Sequence, residues 1–181
     1  MSNQGTRQYL VISAQGSDRP GIVSDLSQAI VEAGCNILTS QMTVLGAEFA
    51  AMLLLEGSWS AVAKLEAQLP GLQKKLEIDL LSRRTEGIQL KQEGRPYLVE
   101  VIALDRPGVI QQLAQFFTAH QINIQDLHAD SYRTSHSGTQ MLAVTITINL
   151  PGATQIARLR DEFLDFCDAL NLDAILEPVK N

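Results

Sequence analysis

The sequence predicts an α+β protein built from two copies of one βαββαβ unit, each a four-stranded antiparallel sheet with two helices on one face. Three observations support this fold class. The tetrapeptide Asp-Arg-Pro-Gly occurs at residues 18–21 and again at residues 105–108. Hydrophobic residues follow strand and helix periodicity in the same order around each tetrapeptide. A chain of 181 residues, 45% hydrophobic and 19% charged, is large and apolar enough for two small folded domains.

The two halves of the chain are related by a duplication. An ungapped alignment at an offset of 87 residues places residues 18–37 on residues 105–124, and eight of these twenty positions are identical. Composition alone gives about one or two identities over such a length. Leu26 falls on Leu113, and Asn36 falls on Asn123. We therefore expect the same fold in both halves.

The first strand and the first helix of each copy flank the tetrapeptide. Residues 8–15 and 97–104 are rich in β-branched and aromatic side chains, which favours strands. The proline of each tetrapeptide suits the first turn of a helix, and Gly34 is typical of a helix end. Apolar positions at helical spacing are Ile22, Leu26, Ala29, Ile30 and Ala33 in the first copy, and Val109, Leu113, Phe116, Phe117 and His120 in the second.

The remaining elements also occur in the same order in both copies. A hairpin follows in each copy. In the first copy its strands are predicted at residues 36–45 and 48–55, joined through Gly46. In the second copy they are predicted at residues 123–133 and 140–150, joined by the polar loop 134–139. A helix and a closing strand complete each unit, at residues 58–69 and 77–82, and at residues 153–170 and 173–179. One sheet face stays open, so units this small are expected to pack on another copy or to form a homodimer or larger oligomer.

Composition suggests where the domains divide. Residues 85–94 are polar and contain glycine, which predicts a linker between a first domain at residues 1–84 and a second at residues 95–181. The chain begins with a polar stretch and not with a secretory signal, and its longest nearly apolar run, residues 49–55, is far shorter than the roughly 18 residues that cross a membrane. We expect a cytoplasmic protein that does not bind membranes, with Cys35 and Cys167 as buried free thiols.

The charge balance and the motifs exclude several function classes. A net charge of −6 opposes direct binding to nucleic acid, which requires many lysines and arginines. The chain contains no nucleophile elbow, no phosphate-binding loop and no supported Cys-His or Ser-His-Asp set, so we expect no catalytic residues and no enzyme activity.

A metal site is considered at one place and set aside. Asp126, His128 and Asp130 alternate along a predicted strand, so they share one face and could bind a metal together with His136. The matching residues of the first copy are Thr39, Gln41 and Thr43, which favours a surface role. We therefore expect no metal and place the three residues towards solvent or a partner sheet, with their role left open.

The module resembles a known family. A first strand that ends in Asp-Arg-Pro-Gly, a helix, and Asn-Ile at the second strand resemble the ACT domain, a ferredoxin-like regulatory module of amino-acid metabolism. The resemblance covers about residues 9–177 and leaves no space for a catalytic or DNA-binding domain. A tandem pair with little else is similar to the transcriptional repressors of that family, which implies a small amino acid as effector, glycine first, and a DNA-binding activator as protein partner.

Physical chemistry supports a ligand site at the tetrapeptides. Glycine before a helix lets the backbone approach a small molecule, and the N–H groups of the first helical turn favour a carboxylate. Asparagine offers donors and an acceptor to an amino acid. In the family that the sequence resembles, the loop and the asparagine bind amino acids, often between two modules. This implicates Asp18, Gly21, Ile22 and Asn36 in the first copy, and Asp105, Gly108, Val109 and Asn123 in the second.

Two alternatives stay open. The tetrapeptide is also compatible with a plain helix start, in which aspartate caps the helix, proline begins it and glycine relaxes the backbone. Both asparagines are also compatible with a role as turn residues that follow a helix. At the level of function, the alternatives are an interaction scaffold that binds no ligand and a regulatory subunit of an amino-acid enzyme.

Overall fold

The computed structural model describes residues 7–87, 94–152 and 154–179. The chain forms two compact units, Met1–Gln89 and Leu90–Asn181. Most of the predicted linker, residues 88–93, lies outside the described residues, so its bounds stay a prediction. None of the helices in the described ranges is long and apolar enough to span a membrane.

Both units have the element order βαββαβ, as predicted. The first unit consists of β1 (Gln8–Ser17), α1 (Ile22–Ala33), β2 (Asn36–Leu45), β3 (Glu48–Gly57), α2 (Trp59–Leu76) and β4 (Ile78–Thr85). The second consists of β5 (Arg95–Leu104), α3 (Val109–Ala119), β6 (Ile124–Arg133), β7 (Gln140–Leu150), α4 (Ile156–Ala169) and β8 (Asp173–Pro178). The sheets are antiparallel, in the order β2-β3-β1-β4 and β6-β7-β5-β8. The predicted fold class is therefore confirmed.

Each core lies between one face of a sheet and its two helices. Alternate residues of β1 and β3 are buried, which is the pattern of strands covered on one side only. In the first unit the core is largely aliphatic, whereas in the second it is centred on Phe117 and Phe163, both fully buried with ring centroids 5.5 Å apart. The other sheet face is open: Met52 and Leu81 are 57% and 75% exposed there.

The two units also share irregular features. A bulge interrupts the β2–β3 pairing between Ile37 and Thr39, and the β6–β7 pairing between Ile124 and Asp126, which are the same positions at the offset of 87 residues. Both bulges directly follow the repeated Asn-Ile. Because a bulge changes which face later residues occupy, its recurrence preserves the same inward and outward pattern in both copies.

The end of α2 and the starts of α1 and α3 differ from the prediction. The sequence predicts that the second helix ends at Leu69, but α2 continues through Pro70 to Leu76. Pro70 is exposed, and the buried residues Leu69 and Leu76 pack into the core on either side of it, so burial offsets the lost helical hydrogen bond. Pro20 and Pro107 were expected in the first helical turn; the helices instead begin after the following glycines.

Candidate ligand site at the strand-to-helix loops

The first tetrapeptide forms a turn fixed at both ends. The N–H of Asp18 donates to the carbonyl of Ala47 at 2.9 Å, in the β2–β3 turn. Gly21 has φ 91° and ψ −11°, a left-handed conformation that glycine adopts without strain, and α1 starts immediately after it. No side chain caps the helix, so the proposed aspartate cap is wrong while the turn itself is confirmed.

The second loop has the same backbone. The N–H of Asp105 donates to the carbonyl of Gln140 at 3.0 Å, and Gly108 has φ 95° before α3. Ile22 and Val109, the first helical residues, are buried in the two cores. Their side chains are therefore unavailable to a ligand in solution, and only their backbone groups could contact one. Each loop thus presents an exposed glycine and a helix N-terminus without a side-chain cap.

The two aspartates differ in their surroundings. Asp105 accepts a hydrogen bond from Ser131 Oγ, which in turn accepts one from Gln140 Nε2 at 2.6 Å. The equivalent of Ser131 in the first copy is Val44, which has no hydroxyl group. Within the described residues the carboxylate of Asp18 has no hydrogen-bond partner. The first loop therefore leaves its carboxylate free, whereas the second uses it to hold the loop against the hairpin.

The arginines of the two tetrapeptides also differ in their contacts. Arg19 forms an exposed ion pair with Asp25 at 3.0 Å. Arg106 donates to Gln112 Oε1 and to the carbonyl of Leu170, both at 3.3 Å, which connects the second loop to the end of α4. Ser131, Gln140 and Leu170 were not predicted from the sequence, because contacts between distant elements leave no local pattern.

The asparagines lie far from the loops of their own units. Asn36 opens β2 opposite Glu56, at the end of the sheet where α1 finishes, while Gly21 lies where α1 begins. A helix of 12 residues spans about 18 Å, which no molecule the size of glycine can bridge. Asn123 has the same relation to Gly108, across α3. A single unit therefore does not bring its predicted ligand residues together.

His120 joins the two helices of the second unit. It lies at the end of α3, where its Nδ1 donates to the carbonyl of Phe116 at 2.8 Å and its Nε2 contacts Glu162 of α4 at 3.0 Å. Its position at the end of an apolar helix face suggests a packing or a capping histidine, and the structure shows both: His120 is the C-cap of α3, and its ring centroid lies 4.3 Å from that of Phe116. The hydrogen bond to the Phe116 carbonyl, followed by that to Glu162, raises the pKa of His120. Arg158 and His120 together lower the pKa of Glu162.

This arrangement predicts a pH-dependent stability. A histidine pKa that is higher in the folded state stabilises the fold below about pH 6.5, its ordinary value, and loses that contribution as the pH rises through the folded value. We expect His120→Gln to lower the melting temperature more at pH 5.5 than at pH 8.5, measured by circular dichroism. Glu162→Gln should remove part of the same pH-dependent difference. Parallel losses at both pH values would contradict the ion pair.

The remaining candidates lie away from the loops. Asp126, His128 and Asp130 project from the open sheet face, opposite Thr147, Thr145 and Ala143 of β7. His128 Nε2 contacts Asp130 at 2.8 Å. No group of three or more metal-binding side chains occurs among the described residues. Cys35 and Cys167 are buried free thiols, as predicted, and burial raises the pKa of Cys167 to about 12.

Comparison with known proteins places the chain among regulatory proteins. The ACT domain profile matches residues 8–81. The glycine cleavage system transcriptional repressors of Escherichia coli (strain K12) and Shigella flexneri are each 31% identical over 174 residues, which cover 96% of this chain and 92% of theirs. A crystal structure assigned to a glycine cleavage system transcriptional repressor superposes with a TM-score of 0.75 at 29% identity, covering 98% of this chain and 100% of that one.

Proposed function

This chain belongs to the ACT domain family, within the group that includes the glycine cleavage system transcriptional repressors, and from this premise we propose that it is an amino-acid-responsive transcriptional co-regulator. It represses the glycine cleavage system by binding a DNA-binding activator protein and does not bind DNA itself. It is a cytoplasmic protein without enzyme activity, and glycine is its effector. The relatives support the regulatory role, and the effector, the protein partner and the cytoplasmic location are proposed for this chain.

The observation that carries the ligand proposal is the pair of exposed loops. Both present a glycine at positive φ immediately before an uncapped helix N-terminus. The first-turn N–H groups and the helix dipole attract a carboxylate. Glycine is the smallest amino acid, so it can approach such a backbone surface closely. We assign Asp18, Gly21 and Ile22 to one site and Asp105, Gly108 and Val109 to the other, with Ile22 and Val109 acting through their backbone.

The asparagines complete the site only if a second module is involved. Asn36 and Asn123 are exposed, and within the described residues neither forms a hydrogen bond through its side chain. They are therefore free to contact an amino or carboxylate group. Because each lies at the far end of its own unit, a ligand that contacts a loop and an asparagine needs two copies of the module. The net charge of −6 supports the protein partner over direct DNA contact.

Calorimetric titration of the full chain with glycine tests the proposal. We expect saturable binding and a melting temperature that rises with glycine concentration, because the ligand binds the folded state. Asn36→Ala combined with Asn123→Ala should weaken binding by roughly 10- to 100-fold, the value of a hydrogen bond to a charged group. Gln68→Ala, which removes an exposed amide from the surface of α2, away from the loops and the asparagines assigned to the site, is the matched control and should bind as the unmodified chain does.

Two outcomes would contradict the proposal. Absence of binding by glycine, serine and alanine would favour an interaction scaffold that binds no ligand. Equal affinity of the asparagine double variant and the unmodified chain would remove Asn36 and Asn123 from the site. Circular dichroism of each variant shows that the fold is intact, so that lost binding is not lost structure.

A further inference from the structure

The strand β4 forms an edge of the first sheet, and no other strand of the described residues pairs with its outer side. It pairs with β1 on one side only, in the order β2-β3-β1-β4. The N–H of Leu80 points away from β1, since it donates to the side chain of Gln73 at 3.4 Å. Backbone groups of an antiparallel strand alternate in direction, so those of Ser82 and Arg84 point outward as well. The edge thus offers hydrogen-bond donors and acceptors to another strand.

The side chains of this edge place two opposite charges at equal distances before and after Leu81. Asp79, Leu81 and Arg83 alternate along β4 and lie on the open sheet face. Leu81 is 75% exposed, and Met52, on the far side of Ser13 in the same row, is 57% exposed. Arg83 forms no ion pair within the described residues, and Asp79 accepts only a long bond from Gln73, at 3.3 Å. Opposite charges therefore stand at equal distances on either side of an exposed leucine.

We propose that β4 pairs antiparallel with β4 of a second copy of this chain, about a two-fold axis at Leu81. In this register Leu80 faces Ser82 of the second copy, so the outward backbone groups meet as hydrogen-bonded pairs. Leu81 faces Leu81 of the second copy in the closer, non-hydrogen-bonded pair. Asp79 faces Arg83 of the second copy, and the symmetry forms this ion pair twice. Gln73 releases the Leu80 N–H as the strands join.

The equivalent edge of the second unit serves as an internal comparison. Leu81 pairs with Ser13, and Ile175 pairs with Glu100, so Ile175 of β8 is the counterpart of Leu81. It is flanked by Asp173 and Glu177, both acidic. The same two-fold arrangement of β8 would therefore place carboxylates opposite each other at both ends. Pairing of β4 with β8 would place Arg83 opposite Asp173, which attract, and Asp79 opposite Glu177, which repel. Of these pairings, only β4 with β4 places opposite charges together at both ends.

Charged residues also occur on edge strands as protection against pairing. Charges of one sign suit such protection, because they attract each other in no symmetric register, and β8 carries only the two acidic residues Asp173 and Glu177. The signs at Asp79 and Arg83 are opposite, and the residue between them is apolar. This pattern favours self-association over protection.

Sedimentation equilibrium of the full chain tests the interface. We expect a dimer, and we expect Arg83→Asp or Asp79→Arg alone to raise its dissociation constant by at least about tenfold, because each places like charges opposite each other twice. The double variant Asp79→Arg with Arg83→Asp exchanges the two charges and should restore the dimer. Lys75→Asp, a matched charge reversal on the exposed surface of α2, should leave it unchanged.

Three outcomes would overturn the inference: a monomeric unmodified chain, a dimer that both single variants retain, and a double variant that dissociates like the single ones. Restoration by the double variant also excludes misfolding as the cause of dissociation. Glycine binding, measured on the same variants, keeps the two proposals separate. A dimer without glycine binding contradicts only the proposed effector, and glycine binding by a monomer contradicts only the interface.

Discussion

Replacement of Phe117 by alanine is expected to lower the free energy of unfolding of the second unit by about 3–5 kcal/mol, the usual cost of deleting a large aromatic side chain from a core. Phe117 is fully buried, packs against Phe163 with ring centroids 5.5 Å apart, and contacts Phe116 edge to face at the same distance. The cavity left by the ring has no neighbour to fill it, since Phe163 is itself fixed within the core.

Urea unfolding followed by hydrogen exchange with mass spectrometry measures this loss unit by unit. Peptides from β5 to β8 should lose protection in Phe117→Ala. Phe117→Leu conserves most of the volume and should cost less than about 1.5 kcal/mol. At the equivalent position of the first copy, Ile30→Ala should destabilise the first unit by about 2–5 kcal/mol, because Ile30 is also fully buried. A loss below about 1 kcal/mol for Phe117→Ala would contradict the packing described.

The fold could be predicted because its signals are local and occur twice. The alternating strands, the apolar helical faces and Gly34, which ends α1 with φ 88°, are each readable within a few residues. The full length of α2 could not be predicted in this way. Pro70 is a local signal for the end of a helix, whereas Leu76 extends the helix through its burial in the core, which is a tertiary contact. Tertiary burial outweighs local propensity there, and only the folded chain shows by how much.

The candidate site was predicted less completely than the fold. The turn at each tetrapeptide follows from its residues, and the structure has it at both loops. The separation of Asn36 from Gly21 follows from the direction in which α1 crosses the sheet, which the repeated motif alone does not reveal. The bond from Ser131 to Asp105 joins residues 26 positions apart, and Val44 in its place removes it from the first copy. Identical tetrapeptides therefore have different surroundings.

Gly108→Ala is expected to destabilise the second unit by about 1–2 kcal/mol, although the added methyl group touches nothing. An ideal Cβ at Gly108 has no heavy atom within 4 Å, so the cost arises only from φ 95°, where L-residues are strained. Gly71 is the matched control: it also has open space, but it lies within α2 and its φ is not positive. Alanine there should stabilise by about 0.5–1 kcal/mol, the usual advantage of alanine over glycine in a helix.

The opposite signs of these two substitutions separate backbone strain from steric contact. Both are measured as shifts in the urea midpoint at constant slope, in the unit that carries each change. Gly21→Ala should match Gly108→Ala, because its φ is 91° and its nearest neighbour, an Arg19 nitrogen, is 3.9 Å away. If Gly108→Ala were stabilising like Gly71→Ala, the loop would tolerate ordinary residues, and the conformation that exposes the N-terminus of α3 to a carboxylate would not depend on glycine.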